Sequence, residues 1–458
     1  MSTPAAKSPE AKNLTGYHGF LFFLLSTATF FDGFDASMMG MGSQHVRDGL
    51  NIDIEDWGFI YSVTRTGMIL SFIFLLFADR FGRRLLMLIT VVGFGVFTGA
   101  TALAQDAFQF TLFQTLARIF LTAEYALAVI VAGEEFPARH RGRAIAILTS
   151  FSTVGVVVMA KVQPYFLLDG EPGNAFHSAV VTVLVTVQGW MGLPEDVSDW
   201  RTLFALGILP LAIVLLLRVG MRETQRFEHA SEGMVRKPFL VELRAQLANA
   251  RIPFRPEYRK RTLVVTLLWN CVHLVTAPAV AYWNIYARGE LGFDSALVGS
   301  IIFWSYIGGV GGHVVAAWMI ERLGRRATCA GFYVVAAVAI VGLFQTTSMA
   351  GQYFWHILTV AAFGAANTAT HIYASELYPT EIRATGYGWT TNLFGRMTEL
   401  IAPAMIGLLI PFLGISWAVS VVGFGPILGA VLVLLYAPET KGMTLEEIQD
   451  ELATNPAR

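Results

Sequence analysis

The chain has 458 residues, 55% of them hydrophobic and 14% charged, with a net charge of −1 and a mean hydropathy of +0.56. A water-soluble domain carries about a quarter charged residues, so this composition excludes an ordinary soluble protein and points to surface hidden in lipid. The near balance of charge excludes a nucleic-acid-binding protein. The two cysteines, Cys271 and Cys329, both lie in apolar segments, which excludes a disulfide framework.

Residues 1–16 are polar, contain Pro4 and Pro9, and read as a disordered tail without a cleavable leader. Twelve apolar segments follow, each about 20 residues long, the length that crosses a bilayer. Six begin near Tyr17, Trp57, Leu85, Phe108, Ala144 and Trp200, and form a first bundle over residues 17–218. Six more begin near Thr262, Ser295, Ala327, Gln352, Thr385 and Ile415, and form a second bundle over 262–437. The connection 219–261 is rich in Lys and Arg and broken by Pro238, Pro253 and Pro256, so it reads as a linker of short amphipathic helices on the membrane face. Residues 438–458 form a C-terminal tail. The expectation is an all-α membrane protein of twelve transmembrane helices in two six-helix bundles.

The two halves repeat each other. Asp79-Arg80-Phe81-Gly82-Arg83-Arg84 returns as Glu321-Arg322-Leu323-Gly324-Arg325-Arg326, 242 residues on (79 to 321). Glu134-x-x-Pro137-x-x-x-Arg141 returns as Glu376-x-x-Pro379-x-x-x-Arg383, again 242 on (134 to 376). A duplicated unit of apolar spans with basic loops is the sequence pattern of a secondary transporter. The arginines after spans 2, 4 and 8 all fall on one side, whereas Asp48, Asp53, Glu55, Asp56, Glu195, Asp196 and Asp199 fall on the other. The positive side is cytoplasmic, so both termini are expected in the cytoplasm of a plasma (inner) membrane protein.

One apolar segment, Ala175 to Leu193, competes for a thirteenth span. The Glu223-Thr224 and Glu439-Thr440 pairs are only 216 residues apart (223 to 439), so about 26 residues (242 less 216) are extra in the first half. Residues 169–199 are therefore read as an outer loop carrying an interfacial helix.

These motifs resemble the major facilitator superfamily. The Asp-Arg-x-Gly-Arg-Arg loops, the Glu-x-x-Pro-x-x-x-Arg loops and Pro438-Glu439-Thr440-Lys441-Gly442 are similar to its sugar-porter-like branch, and the likeness covers nearly the whole chain. Asp32-Gly33-Phe34-Asp35 in span 1 resembles the signature of the aromatic acid:proton symporters. The pattern departs from the family at Leu75 and Ala317, where a glycine usually opens the loop motif, and at Glu124, where a small residue is usual. The resemblance implies two bundles rocking around a central site, with no cofactor and a small molecule and protons as partners. The gate residues it implies on the inner face are Asp79, Arg80, Gly82, Arg83, Arg84, Glu134 and Arg141, then Glu321, Arg322, Gly324, Arg325, Glu376 and Arg383. A monomer working within the lipid bilayer is expected, with no nucleic-acid partner.

An ionisable side chain at bilayer depth costs several kcal/mol unless paired or wet, so each is a functional candidate. Asp32 and Asp35 are three apart and share a helix face. Two close buried carboxylates suit a proton site, although a structural bond from Asp35 to Arg65 uses the same residues. Arg118 matches the span-4 arginine that the resembled families pair with the span-1 acid; its planar fork also suits a substrate carboxylate. Glu124 lies about 240° around the helix from Arg118, either a second proton site or a bond to a neighbouring helix. Arg396 and Glu399, three apart, either pair with each other or contact substrate. Tyr282, Trp283, Asn284 and His371 complete the candidate binding set, the aromatics serving equally as an interfacial belt. No His/Cys cluster has metal spacing.

Four functions compete for a duplicated membrane chain of this kind. Proton-coupled symport of a small organic acid, an aromatic carboxylate such as a hydroxybenzoate, best uses Asp32, Asp35 and Arg118. A sugar or polyol:proton symporter of the same fold is the alternative, but span 7 lacks paired glutamines. Drug efflux lacks the span-5 Gly-Pro motif, and a membrane sensor lacks a large soluble domain. No phosphate-binding loop is present, so an ion gradient rather than ATP is the expected driving force, and no enzyme activity is expected.

Overall fold

The computed structural model describes residues 14–208, 251–378 and 386–447, apart from residues 82, 137, 170, 171, 387, 442 and 444–446. All described secondary structure is helical. In chain order the helices are α1 (Gly16–Met41), α2 (Ser43–Leu50), α3 (Ile54–Phe81), α4 (Arg83–Thr101), α5 (Ala107–Glu135), α6 (Ala138–Val162), α7 (Ala175–Trp190) and α8 (Asp199–Leu206). They continue with α9 (Pro256–Ile285), α10 (Ser295–Leu323), α11 (Arg325–Gln345), α12 (Met349–Glu376), α13 (Met397–Ser420) and α14 (Phe424–Tyr436).

The starts follow local chemistry. Asp106 accepts the Gln109 amide at 2.7 Å to open α5, and Asp294 accepts the Leu297 amide at 2.7 Å to open α10. Gly324, at φ 91°, turns the chain between α10 and α11, a conformation costly for any residue with a side chain. Gly414, at φ 71°, breaks α13, so Ile415, the expected start of the last span, begins the final membrane-length run. Helix α9 starts at Pro256 and α6 at Ala138, each six residues before the expected span, because both extend past the apolar stretch into polar sequence. Most of the expected 219–261 linker lies outside the described residues.

Seven described stretches are long and apolar enough to cross a membrane. Helix α7 is not among them: at 16 residues it measures about 24 Å, short of the roughly 30 Å hydrocarbon core.

The chain divides into two compact units, one of residues 1–39 and 64–238, the other of 40–63 and 239–458. In the first, Leu21, Leu24 and Leu25 of α1 pack with Met87 of α4, Leu127, Ala128 and Val131 of α5 and Leu148 of α6. In the second, Val265, Leu268 and Trp269 of α9 pack with Cys329 and Tyr333 of α11, Ala366 of α12 and Val433 of α14. Close helix approach there is glycine-dependent: a Cβ on Gly312 of α10 would lie 2.2 Å from the Ala361 carbonyl oxygen. The second unit also holds residues 40–63, which carry α2 and the first turns of α3. Trp57 Nε1 donates to the Ala281 carbonyl at 3.1 Å, and the Ala404 amide donates to Ser62 Oγ at 3.1 Å. A Cβ on Gly58 would lie 2.0 Å from the Pro403 carbonyl oxygen.

Candidate functional site

The first unit gathers the acids of span 1. Gly33 and Gly155 let α1 and α6 cross at backbone contact: a Cβ on Gly33 would lie 1.7 Å from the Ser152 carbonyl oxygen, and one on Gly155 2.0 Å from that of Phe30. This crossing brings Ser152 Oγ to Asp32, donating at 3.1 Å. Asp35 is buried and accepts a hydrogen bond from Thr98 Oγ1 of α4 at 3.2 Å. Arg118 of α5, only 7% exposed, is the positive charge that bears on Asp35, and Asp32 the negative one. A second glycine seats the arginine, since a Cβ on Gly67 would lie 3.0 Å from Arg118 Cβ. Arg65 of α3 donates to Met68 Sδ at 3.6 Å, and Thr98 of α4 supplies a hydroxyl to Asp35.

Glu124 is 2% exposed and lies 2.5 Å from Thr90 Oγ1, so it forms a bond between α5 and α4, away from Asp35. Thr90 also approaches the Leu86 and Met87 carbonyls at 3.0 Å. A hydroxyl has one proton, so Thr90 satisfies the carboxyl in either state by rotating: it donates to a carboxylate, and accepts from a carboxylic acid while donating to the carbonyl.

The sequence reading passed over the hydroxyls that serve these acids. Thr90, Thr98 and Thr101 are all buried on α4, with Thr101 Oγ1 accepting from Gln114 Nε2 at 3.0 Å. Polar residues eight and three apart on an apolar helix share a face, a signal present in the sequence.

The second unit gathers a different set. His371 of α12 meets the edge of Trp269 of α9 with centroids 4.5 Å apart, and Trp269 stacks on His273 at 5.3 Å. His273 Nδ1 lies 2.8 Å from the Gly395 carbonyl oxygen. Arg396 donates to Glu399 at 3.1 Å, the local pairing that a three-residue spacing allows, and the arginine keeps 35% of its side chain exposed. Arg396 and His273 are among the charged or titratable neighbours of His371. Before Arg396 the helix is wider than an α-helix over Gly388–Leu393 and tighter over Phe394–Arg396, an irregularity of the kind that marks functional positions. Asn270, also unremarked in the sequence, clamps this segment: its Nδ2 donates to the Phe394 carbonyl at 2.7 Å and its Oδ1 accepts the Thr398 amide at 2.9 Å.

Tyr282, Trp283 and Asn284 are buried and bonded within the second unit. Tyr282 OH donates to the Pro403 carbonyl at 2.9 Å, Trp283 Nε1 to Gln352 Oε1 at 3.0 Å, and Asn284 Oδ1 accepts from Ser43 Oγ at 3.2 Å. Among the inner-face motifs, Gly82 and the side chains of Asp79, Arg80, Glu134, Arg141, Glu376 and Arg383 lie outside the described residues. Arg83 is buried and Arg84 exposed. In the second repeat, Arg325 reaches Glu321 at 3.9 Å, and Arg322 lies over the Trp318 ring at 4.8 Å. Glu439 of the terminal Pro-Glu-Thr motif accepts the Arg325 and Arg326 amides at 2.9 and 3.1 Å, capping α11 from a distant part of the chain. Lys441 Nζ donates to the Arg322 carbonyl at 2.9 Å. An apolar groove lined by Ala337, Gly342, Trp355 and Phe424 offers no charged group and is separate from these sites.

Helices of this length, duplicated and carrying buried acid and base on α1, α5 and α13, are matched by the model of the Major Facilitator Superfamily over residues 25–403. The chain belongs to the Major Facilitator Superfamily. It is an integral membrane transporter of small molecules rather than an enzyme, with the twelve helices and two six-helix bundles of that fold. It is 25% identical over 439 residues to the niacin transporter NiaP of Acinetobacter baylyi, covering 94% of this chain and 96% of that one. It is 24% identical over 429 residues to the 4-hydroxybenzoate transporter PcaK of the same organism, covering 89% and 88%. Among solved structures, a D-xylose-proton symporter superposes with a TM-score of 0.73 at 17% identity, over 94% of this chain and all of that one (100%). That likeness concerns the fold alone.

Proposed function

We propose that this transporter carries a small aromatic carboxylate together with a proton, across a plasma (inner) membrane with both termini in the cytoplasm. The observation that carries the reading is the buried Asp35 beside the buried Arg118, with Thr98 donating to the acid. A buried guanidinium needs a negative partner. Ionised Asp35 supplies one. Once Asp35 takes up a proton, Arg118 is left to a carboxylate from outside the protein, for which its planar fork is suited. Proton uptake and anion binding then favour each other because both answer the same charge. The relatives named for niacin and 4-hydroxybenzoate support an aromatic acid as cargo.

Within the second unit, His371, Arg396 and Glu399 are the candidate substrate contacts in this reading, with the Trp269 ring as a surface for an aromatic substrate. Glu124, with its Thr90 rotor, is a second candidate for carrying a proton, while Tyr282, Trp283 and Asn284 act as packing residues rather than as direct ligands. The inner-face motifs, including Glu439, hold the inner end shut in one state and release it in the other.

Counterflow in vesicles tests the substrate class. Vesicles preloaded with unlabelled 4-hydroxybenzoate or nicotinate should accumulate labelled 4-hydroxybenzoate transiently, and Arg118→Lys should raise the half-saturating concentration at least tenfold. Counterflow of glucose or xylose alone would move the reading to a sugar symporter.

A further inference from the structure

Helix α7 belongs to the first unit and has an exposed surface that the transport site does not use. Both its ends are tied to the first turn of α8. At the start, Asn174 caps the helix by accepting the His177 amide at 2.8 Å, and Phe166 packs edge-on to Phe176 at 5.6 Å. The residues beside Phe166 reach α8, with the Leu168 amide donating to Asp199 at 2.7 Å and Thr202 Oγ1 donating to the Phe166 carbonyl at 3.4 Å. At the far end, Gln188 exchanges hydrogen bonds with the Asp196 backbone at 2.8 and 3.2 Å. Asp196 binds Arg201 at 2.6 Å, and Arg201 donates to the Ala102 and Ala104 carbonyls beyond α4. A helix whose two ends return to the same turn of a neighbour runs along the rim and does not cross the membrane.

Its faces are sorted. His177, Leu184 and Gln188 are buried. Phe176, Val183 and Trp190, seven residues apart and thus on one stripe, are 48%, 61% and 84% exposed. Residues 175–193 contain no Asp, Glu, Lys or Arg. The exposed hydroxyls of Ser178, Thr182 and Thr186 bond back to the carbonyls four residues earlier at 3.1, 2.8 and 2.7 Å, leaving no free donor on that side. Water needs no such arrangement, whereas hydrocarbon requires it. Phe108 at the start of α5 and Tyr165 after α6 are also exposed, at 74% and 59%.

We propose that α7 is a lipid-binding surface: it lies in the leaflet on the side of the α4–α5 connection, with Phe176, Val183 and Trp190 in the boundary between headgroups and acyl chains. Trp190, at its end, sits where an amphipathic ring is favoured. The helix fixes the depth of the first unit's rim, and the occupant is the bilayer rather than a protein.

The test uses the full chain in phosphatidylcholine/phosphatidylglycerol vesicles. Cys271 and Cys329 are buried, so nitroxide labels go to cysteines introduced singly at Phe176, Val183 or Trp190. Relative access to oxygen and to a water-soluble nickel chelate gives each label's depth, with Glu195 as the aqueous control and Leu408 as the lipid-facing one. The expected result is one shared depth, about 5–10 Å below the headgroups, for all three positions. Depths stepping by about 10 Å per seven residues would mean that α7 crosses the bilayer. Nickel access equal to that at Glu195 would place it in water, and label–label coupling between copies would show that a second copy covers it. Any of these three results overturns the proposal. A Val183→Glu change should move the Trp190 label toward water while counterflow persists, because α7 contributes nothing to the transport site.

Discussion

Replacing Gly33 by alanine should push α1 away from α6 and disable the acid pair carried between them. The added methyl carbon would lie 1.7 Å from the Ser152 carbonyl oxygen, where ordinary contact begins at 3.4 Å. The obstacle is backbone on a packed helix, so the helices must part by the difference, 3.4 − 1.7 = 1.7 Å. That movement carries the Ser152–Asp32 bond from 3.1 Å to roughly 4.8 Å, beyond hydrogen bonding. Overpacking of this kind costs about 1–3 kcal/mol, a loss of roughly 2–4 °C in thermal midpoint per kcal/mol for a unit of this size. The assay pairs thermal unfolding of the purified protein with 4-hydroxybenzoate counterflow, and both should fall. Gly331→Ala is the control: nothing lies within 4 Å of its added carbon. Alanine exceeds glycine by about 1 kcal/mol in a helix interior, so that variant should match or exceed the wild type. A Gly33→Ala protein with wild-type midpoint and transport would refute the crossing on which the site rests.

Glu439→Ala removes the carboxylate that caps α11 and should cost about 0.5–2 kcal/mol, read as a lower thermal midpoint. An unchanged midpoint would show that water replaces the cap without penalty. Burial works against the Asp196 carboxylate, yet hydrogen bonds from Ser198 and Arg201 hold its pKa below the usual value. A depressed folded pKa contributes stability above the unfolded value of about 3.9 and loses it as pH falls through the folded one. The tie at the end of α7 should therefore loosen only below about pH 4, monitored by proteolysis of residues 191–198. Asp196→Asn should remove that acid dependence; cleavage of wild type and variant with the same pH profile would contradict it. Asp35→Asn should abolish proton-driven accumulation while leaving exchange measurable, and accumulation at the wild-type level would remove Asp35 from coupling.

The helices were legible because their apolar runs are long and their starts carry caps, such as Asp106 and Asp294. Even the break at Gly414 was anticipated by the expected start at Ile415. The shortfall of 26 residues in the repeat set α7 apart from the spans, although its return to α8 through Asp199 and Arg201 depends on tertiary bonds that no local pattern encodes. In the site, charges announced themselves because ionisable residues in apolar runs are rare. Their partners announced themselves less: Thr90 and Thr98 share a face of one apolar helix, but only packing turns them toward Glu124 and Asp35, and Ser152 toward Asp32. Glu439 was read as a repeat marker, yet it caps a helix whose first residue is more than a hundred positions earlier. Such a long-range cap leaves no spacing to detect. Tyr282 and Asn284 look like cavity residues from their chemistry; both are buried, with Tyr282 OH on the Pro403 carbonyl and Asn284 Oδ1 taking the Ser43 hydroxyl, while Asn284 Nδ2 keeps a donor that no described residue accepts.

Uptake by the wild-type chain in proteoliposomes, with an inward proton gradient imposed and abolished in turn, tests the central claim most directly. The account predicts concentrative uptake of 4-hydroxybenzoate or nicotinate that collapses when an ionophore dissipates the gradient, with no concentrative uptake of glucose. Aromatic-acid uptake that merely equilibrates, at the same rate with and without the gradient, would contradict it.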